Sequence, residues 1–296
     1  MRVVIAGASG FLGTHLTEHL RAHGHEVVRL VRRAVAGRDE SQWDPAAGRV
    51  DRKVVVEADA VVNLAGASIA GNPHSTRWRH EVLASRVDTT TLLSETIASA
   101  QQPPAFMAGS GISWYGDHGR EPLTEEADSR GDAFLTEVAR AWEASTAPAR
   151  EAGARVCVLR TAPVMDRTVA PLKPMRLAWS LGLGARLGDG TQRFPVISLR
   201  DWVGAVSFLL DSQDVSGTFN MCCPQTPTNS EFTKALGEAV GRPTFLRAPA
   251  AVLRAAVGPM APELLGSVNA RPAALQRAGY DFHDEDVAEV LAAALA

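Results

Sequence analysis

The sequence predicts an α/β fold in which a doubly wound parallel β-sheet is covered on both faces by helices. Short, continuous apolar runs such as 2–7 and 59–64 alternate with longer amphipathic segments. A strand that is apolar along its whole length is buried on both faces, as in a parallel sheet between two helical layers. A glycine-rich turn between the first predicted strand and the first predicted helix supports the same fold class.

Each element follows from the spacing of its apolar residues. The predicted strands are 2–7, 26–31, 59–64, 106–110, 155–159 and 217–221. The predicted helices are 14–23, 81–98, 134–151, 201–210, one that starts at 228–231 and stops by Gly241, and a last one that opens at 284–286. Short polar residues at 228–230 suit a helix start, because their side chains accept hydrogen bonds from free first-turn amides.

The strongest motif is the loop 7–13, with the sequence GASGFLG. Its predicted cofactor contacts are Gly7, Ser9, Gly10, Phe11, Leu12 and Gly13. The first glycine permits a tight turn, the second lets the backbone approach a pyrophosphate, and the third allows close packing of helix on strand. The helix N-terminus offers free amides to an anion. This context predicts a Rossmann dinucleotide site; the alternative is a glycine turn that binds nothing.

The end of the second strand indicates which dinucleotide is bound. An acidic residue there would accept hydrogen bonds from the ribose of NAD, but this chain has Arg32 and Arg33. A guanidinium can pair with a 2′-phosphate, so NADP(H) is the expected cofactor; the alternative is two solvated loop arginines. Leu64, Ala65 and Gly66 follow the third strand, where a small side chain would let the backbone approach the adenosine side.

Composition limits the expected partners and location. The chain has 296 residues, is 46% hydrophobic and carries a formal net charge of −3. It has no basic stripe, which argues against nucleic acid, and no apolar run near the roughly 20 residues of a membrane span. Cys157, Cys222 and Cys223 lack metal-ligand spacing. We therefore expect a soluble cytoplasmic protein without a metal, either a monomer or a homodimer.

The pattern loosens between 162 and 195, where proline, glycine and arginine are frequent. We expect an NADP-binding Rossmann domain over 1–165 that also receives about 195–225. A small C-terminal substrate lobe would be formed mainly by 166–296, with the chain interleaved between the two parts.

Several segments in order along nearly the whole chain carry a family resemblance. They are 43–45, 63–66, 85–87, 114–117, 134–138, 142–143, 159–161, 188–190, 197–202 and 228–232, together with the GxxGxxG spacing of the loop. The chain resembles the extended short-chain dehydrogenase/reductases, and within them an atypical, sugar-nucleotide-epimerase-like subgroup. Members have sometimes carried a cell-division-inhibitor label. The usual threonine before the first glycine is Ala6 here.

The resemblance implies a Rossmann fold, NADP binding and oxidoreductase or epimerase-like activity on a small, sugar-like substrate. Matching positions imply cofactor contacts at Arg32, Leu64, Ala65, Glu81 and Arg86, and place Pro163 near the nicotinamide. For Arg86 the alternative is a surface ion pair, and for Glu81 an exposed helix glutamate. In extended relatives the loop 188–194 reaches the substrate, so Arg193 could pair with an anionic group, or else be a solvated turn arginine.

The usual catalytic pair of the family is missing. Typical members use a serine or threonine and a Tyr-x-x-x-Lys motif, in which the lysine lowers the tyrosine pKa. The two tyrosines, Tyr115 and Tyr280, are followed four residues later by glycine and aspartate. Alignment of the helix before Trp142 places Phe134 at the tyrosine position and Val138 at the lysine position, and neither can transfer a proton.

Two residues remain as candidates for catalysis. Ser110 falls at the family's serine position, and Tyr115 could face the nicotinamide as a proton donor. The alternatives are a strand-end serine bonded to backbone and a packed aromatic with its hydroxyl hydrogen-bonded. The missing pair also leaves a second function open, that of a noncatalytic NADP(H)-binding sensor or scaffold.

Overall fold

A computed structural model describes residues 1–296. The strands are β1 (Arg2–Ala6), β2 (Glu26–Val31), β3 (Glu40–Gln42), β4 (Ala60–Asn63), β5 (Ala105–Gly111), β6 (Pro122–Leu123), β7 (Val156–Thr161), β8 (Val164–Met165), β9 (Ala185–Leu187), β10 (Ile197–Ser198), β11 (Gly217–Met221), β12 (Leu246–Ala248) and β13 (Asn269–Ala270). The helices are α1 (Phe11–Ala22), α2 (Arg52–Val56), α3 (Thr76–Ala98), α4 (Phe134–Ala144), α5 (Ala147–Glu151), α6 (Leu172–Ser180), α7 (Leu199–Asp211), α8 (Asn229–Ala239), α9 (Ala250–Val257), α10 (Ala261–Leu265), α11 (Ala273–Ala278) and α12 (Val287–Leu295).

A seven-stranded sheet has the order β11-β7-β5-β4-β1-β2-β3. β1 pairs in parallel with β2 and with β4, and the pairs β2–β3 and β4–β5 are also parallel. The strand order reverses between β1 and β4, and Rossmann folds bind their ligands at the carboxyl ends of the strands at such a reversal. The predicted α/β Rossmann fold is confirmed.

The central strands are apolar because they are covered on both faces. Val3, Val4 and Ile5 of β1 have no exposed surface, and neither do Val61 and Val62 of β4. Burial of this kind removes the alternation of polar and apolar residues that a half-exposed strand would show. Leu93 and Ile97 of α3 pack on this sheet in one core cluster with Phe106 of β5.

The chain divides into two compact units. The first unit comprises 1–110, 140–159 and 206–218, and the second comprises 111–139, 160–205 and 219–296. The first contains the core cluster around Phe106. The predicted division near residue 165 and the roles given to its two parts stay predictions.

The second unit has its own apolar core. Trp179 of α6, Phe232 of α8 and Val290 of α12 are buried in one cluster. Three short parallel ribbons, β8–β10, β9–β12 and β6–β13, join its loops. α8 begins at the predicted place, because Thr228 and Glu231 form a reciprocal capping box in which each side chain accepts the other's backbone N–H.

The prediction of one helix over 134–151 is wrong, since the segment forms two helices. α4 ends at Ala144, and α5 begins at Ala147 with Pro148 in its first turn. Proline has no N–H to donate to the carbonyl four residues earlier, so a single helix would lose a hydrogen bond there. α3 begins five residues earlier than predicted because the Ser75 hydroxyl accepts the N–H of Trp78.

Substitution of a sheet residue tests where the core lies. Phe106→Ala should lower the free energy of unfolding by about 3–5 kcal/mol, because a fully buried ring is replaced by a cavity. Phe245→Ala is the matched control, since Phe245 is 88% exposed, and should change it by less than about 0.5 kcal/mol. Urea denaturation measures both values, and equal losses would contradict the assigned core.

Candidate functional site

Gly7, Gly10 and Gly13 hold the end of β1 and the start of α1 in contact. Gly7 has a φ of 80°, and the Gly10 N–H donates to the Gly7 carbonyl at 3.0 Å. A Cβ placed on Gly13 would lie 2.2 Å from the Gly7 oxygen, closer than any side chain can approach. The loop therefore accepts only glycine at its first and last positions.

The start of α1 has no side-chain cap. Its N-cap residue is Gly10, and no side chain accepts the first-turn amides of Phe11, Leu12 and Gly13. The first turn also contains no acidic residue, and Ser9 beside it is exposed. Uncapped amides and the positive end of the helix dipole favour an anion at this position.

The turn after β4 lies against the glycine loop. A Cβ on Gly7 would lie 2.6 Å from the Leu64 carbonyl carbon and 2.8 Å from the Ala65 nitrogen. Asn63 fixes this turn, because its Oδ1 accepts the Ala65 N–H at 3.1 Å and its Nδ2 donates to Thr90 Oγ1 at 2.9 Å. The predicted segments 7–13 and 64–65 are thus neighbours.

Arg86 brings a buried positive charge to the same turn. Its guanidinium donates to the carbonyls of Ala67 and Val82 at 3.1 and 2.9 Å, and it lies 5.1 Å from the Trp142 ring centroid. A Cβ on Gly66 would lie 3.2 Å from its Cζ. Burial lowers the pKa of Arg86 to about 10, and no carboxylate pairs with it. The charge is therefore uncompensated, and Arg86 does not form the surface ion pair considered as its alternative.

The two arginines after β2 have different surroundings. Arg33 donates from its two terminal nitrogens to the Glu40 carboxylate at 2.8 and 2.5 Å. Hydrogen bonding from Arg33 lowers the pKa of Glu40 to about 2. Arg32 is exposed and has no hydrogen-bond or ion-pair partner within the chain. Only Arg32 is free to receive an anion.

Glu81 and Pro163 are two other predicted cofactor contacts. Glu81 is exposed on α3, with no hydrogen bond or ion pair from its side chain. Pro163 lies in the second unit, where its carbonyl accepts the Ile197 N–H at 3.2 Å. Their roles toward a cofactor stay predictions.

Ser110 lies near the end of β5 and is 3% exposed. Its hydroxyl donates a hydrogen bond of 2.7 Å to Oε1 of Glu143, which lies on α4. The partner is a carboxylate and not the backbone group considered as the alternative. Sequence reasoning missed Glu143, for which the only signal was its place in the matching segment 142–143.

Tyr115 has no exposed surface, and its hydroxyl is enclosed. The hydroxyl lies 2.8 Å from Asn220 Oδ1 and 3.0 Å from the Thr124 carbonyl, so its one proton is held by acceptors within the second unit. Burial raises the pKa of Tyr115 to about 12. The positive charge of Arg160, whose guanidinium lies 4.8 Å from the ring centroid, opposes this rise but is the smaller effect. The predicted role of Tyr115 in proton transfer stays a prediction, and its geometry is that of a structural hydroxyl.

Glu263 is a second carboxyl group that the sequence did not indicate. It lies on the short helix α10 and accepts the backbone N–H of Leu135 at the start of α4. Burial raises the pKa of Glu263 to about 7. A single glutamate in a five-residue helix has no periodic pattern that would reveal its burial.

A cavity of about 270 Å³ lies beside the loop 188–194 in the second unit. It is lined by Arg120, Gly190, Thr191, Arg193, Thr228 and Ser230. Arg193 donates to the Thr226 carbonyl at 2.8 Å and lies 3.7 Å from Glu231 Oε2, so it is held in place at the cavity. The Thr191 and Thr228 hydroxyls donate to Asp189 and Glu231, so the groups that suit an anionic ligand are the two guanidiniums and the Ser230 hydroxyl.

Two further properties concern membranes and metals. None of the helices is both long and apolar enough to cross a membrane. No group of three or more His, Cys, Asp or Glu side chains is arranged to hold a metal ion.

Comparison with known proteins identifies the family. The model of the NAD dependent epimerase/dehydratase family matches residues 3–222, which is most of the chain. This chain belongs to the NAD-dependent epimerase/dehydratase family. Residues 248–294 match a second model, a domain of unknown function. The predicted resemblance to an atypical, epimerase-like subgroup of extended short-chain dehydrogenase/reductases is confirmed.

Related proteins match this chain over nearly its whole length. An epimerase family protein of Mycobacterium bovis is 42% identical over 290 residues, 98% of this chain and 96% of the relative. The crystal structure of human epimerase family protein SDR39U1 with NADPH has a TM-score of 0.88 and 33% identity, covering 100% of this chain and 99% of that one. A nucleoside-diphosphate sugar epimerase from Corynebacterium glutamicum has a TM-score of 0.80 and 31% identity, covering 100% of this chain and 58% of that one.

Substitution of Tyr115 tests whether its hydroxyl is structural. Tyr115→Phe should lower the free energy of unfolding by about 1–3 kcal/mol, because Asn220 Oδ1 loses its buried donor. It should leave the affinity for nucleotides unchanged. Chemical denaturation and nucleotide titration measure the two effects, and an unchanged stability would contradict this assignment.

The raised pKa of Glu263 predicts a pH-dependent stability. A carboxyl whose pKa is raised by folding stabilises the fold while protonated, below about 4.5, and that contribution is lost as the pH rises through about 7. Between these two pH values, the free energy of unfolding of the wild type should fall by on the order of 1–3 kcal/mol more than that of Glu263→Gln. Glu95→Gln, at an exposed position on α3, should behave as wild type. Parallel pH profiles for Glu263→Gln and wild type would show that the carboxyl is not buried.

Proposed function

We propose that this chain is an NADP(H)-dependent oxidoreductase or epimerase-like enzyme that acts on a small, sugar-like substrate. The observation that carries the proposal is the unpartnered Arg32 directly after β2, next to the glycine loop of β1. An exposed guanidinium at this strand end is the group that distinguishes a 2′-phosphate from a free ribose hydroxyl.

The remaining groups fit the same cofactor. β2, β1 and β4 are consecutive in the sheet, about 4.8 Å apart, so their carboxyl ends form a row. Arg32 would hold the 2′-phosphate at β2, and the uncapped amides of α1 would hold the pyrophosphate at β1. Arg86 would add a positive charge at β4, where its buried guanidinium has no carboxylate partner. Gly10 leaves space for the pyrophosphate to approach the backbone, and Gly13 lets α1 pack closely on β1.

NADP(H), when bound, would supply hydride transfer at its nicotinamide. A related human protein of the family, 33% identical, was solved with NADPH, which supports this choice of cofactor. Arg33 is not proposed to bind it, because Glu40 already occupies its guanidinium. This assignment separates the two arginines that the sequence treats alike.

The cavity beside Arg193 supports an anionic substrate. Arg120 and Arg193 could neutralise a phosphate, and the Ser230 hydroxyl could donate to one of its oxygens. A protein with 31% identity is described as a nucleoside-diphosphate sugar epimerase, a substrate class with this chemistry. Sugar nucleotides are therefore the first substrates to test.

A noncatalytic NADP(H) sensor is the second candidate function. It is favoured by Phe134 and Val138, which the family resemblance predicts at the positions of the proton-transferring tyrosine and the lysine. The enclosed Tyr115 hydroxyl favours it also. Saturable NADPH binding without absorbance change on any sugar nucleotide or small carbonyl compound would support the sensor, and substrate-dependent oxidation of NADPH would exclude it.

Substitution of the two arginines tests the cofactor site. Arg32→Ala should weaken NADPH binding about 10- to 100-fold, through loss of charge-assisted hydrogen bonds, and should leave NADH binding unchanged. Arg33→Ala is the matched control, and should retain the preference for NADPH. Nucleotide fluorescence measures the four affinities. Equal affinity of the wild type for NADPH and NADH would contradict the assignment of Arg32.

A further inference from the structure

Most of the exposed apolar side chains of this protein lie in two segments of the second unit, 172–187 and 241–262. Nine large apolar side chains of the chain are exposed, and six of them belong to these segments, so they are clustered and not scattered singly over the surface. The six are Leu177, Leu181, Leu183, Phe245, Leu246 and Val252.

Backbone contacts hold the two segments side by side. β9 in the first segment pairs in parallel with β12 in the second. Arg242 Nε donates to the Ser180 carbonyl, at the end of α6, at 3.2 Å. The Gly188 N–H donates to the Ala248 carbonyl, just before α9, at 2.9 Å. The end of α6, the β9–β12 ribbon and the start of α9 are therefore neighbours.

α6 has two apolar sides. Leu172 and Trp179 bury one side of the helix in the core of the second unit. Leu177 and Leu181 are four residues apart, so they lie together on the other side, and they are 64% and 67% exposed. A helix that only covers a core needs one apolar side, so the second side indicates a further contact.

The same two segments carry only positive charge. Their charged residues are one lysine and five arginines, without an aspartate or glutamate. Asp189, two residues beyond the first segment, accepts hydrogen bonds from Thr191. The whole chain has a net charge of −3, so this concentration of positive charge is local. We call the surface of the two segments the basic apolar surface; its cations are Lys173, Arg176, Arg186, Arg242, Arg247 and Arg254.

We propose that the basic apolar surface docks this protein on an anionic membrane surface. The exposed apolar side chains would enter the boundary between headgroups and acyl chains, and the cations would lie at the lipid phosphates. Peripheral binding of this kind adds apolar burial to electrostatic attraction and needs no helix that spans the bilayer.

Charge and shape favour a membrane over other occupants. A second copy of this chain would bring six cations against the same six, and like charges in an interface oppose binding. A protein partner would need pockets that match each projecting side chain, whereas a fluid lipid boundary adapts to them. Phe245 projects furthest, since it is 88% exposed.

Sedimentation with lipid vesicles tests the proposal on the full chain. One set of vesicles contains phosphatidylcholine with roughly 30% phosphatidylglycerol, and the other contains phosphatidylcholine alone. The wild type should bind the anionic vesicles at least about tenfold more strongly, and its binding should weaken as salt rises from about 0.02 M to about 0.5 M. Equal binding to both sets overturns the proposal. Absence of binding at low salt also overturns it, and an acidic protein partner would then be the remaining occupant.

A paired substitution of cations tests the electrostatic part. Arg176→Gln/Arg254→Gln should weaken binding to the anionic vesicles about 10- to 30-fold. Arg49→Gln/Lys53→Gln is the matched control, because it removes the same charge from exposed positions of the first unit, and it should bind as wild type. Equal losses in the two variants would show attraction by net charge alone and would overturn the assigned surface.

A paired substitution of apolar residues tests insertion. Leu177→Ala/Phe245→Ala should weaken vesicle binding about tenfold or more, through loss of buried apolar area. Val35→Ala/Ile69→Ala is the matched control, at two half-exposed positions of the first unit, and should bind as wild type. Undiminished binding of Leu177→Ala/Phe245→Ala overturns the insertion of the apolar side chains.

Two further measurements distinguish the occupants. In Phe245→Trp, brominated lipid should quench fluorescence beyond the wild-type level, and quenching at the wild-type level would contradict insertion at this position. Sedimentation equilibrium without lipid should show no dimer that Leu177→Ala/Phe245→Ala dissociates; such a dimer would assign the surface to a second copy. Melting temperatures show that each variant is folded, and the wild type alone suffices to overturn the proposal. No nucleotide enters these experiments, so their failure leaves the proposed function standing.

Discussion

The close approach of α1 to the end of β1 is the constraint on which the rest of the site depends. A Cβ on Gly13 would lie 2.2 Å from the Gly7 backbone oxygen, so the helix can start there only if residue 13 lacks a side chain. Residue 7 must lack one too, because its Cβ would lie 2.6 Å from the Leu64 carbonyl carbon. That contact aims the uncapped amides of α1 at the row of strand ends. It also brings the Leu64 turn against the loop, and Arg86 against that turn.

Charge is distributed so that the row of strand ends attracts an anion. Arg86 is buried without a carboxylate, and the first turn of α1 contains no acidic residue. Glu40 on β3, the strand next to β2, is occupied by Arg33 and held ionised. A desolvated guanidinium without a carboxylate, such as that of Arg86, costs free energy in a protein without ligand. Its position beside the Leu64 turn therefore favours an anionic ligand there.

Much of the first unit could be predicted from sequence, because its strands and helices are long and regularly patterned. The glycine loop and Leu64 were found in this way, Arg86 was implied by the family resemblance, and the three lie together. Contacts between distant segments could not be predicted: the bond between Ser110 and Glu143 spans 33 residues, and the burial of Glu263 depends on a short helix. The two arginines after β2 also needed the structure, since only the position of Glu40 distinguishes them.

The proposed site for NADP(H) is the row formed by Arg32, the glycine loop and Arg86. A crystal structure of the protein grown with NADPH tests it most directly. We expect the 2′-phosphate within hydrogen-bond distance of the Arg32 guanidinium and the pyrophosphate on the first-turn amides of α1. A nucleotide whose 2′-phosphate lies away from Arg32, or whose pyrophosphate lies away from the loop 7–13, would contradict this assignment.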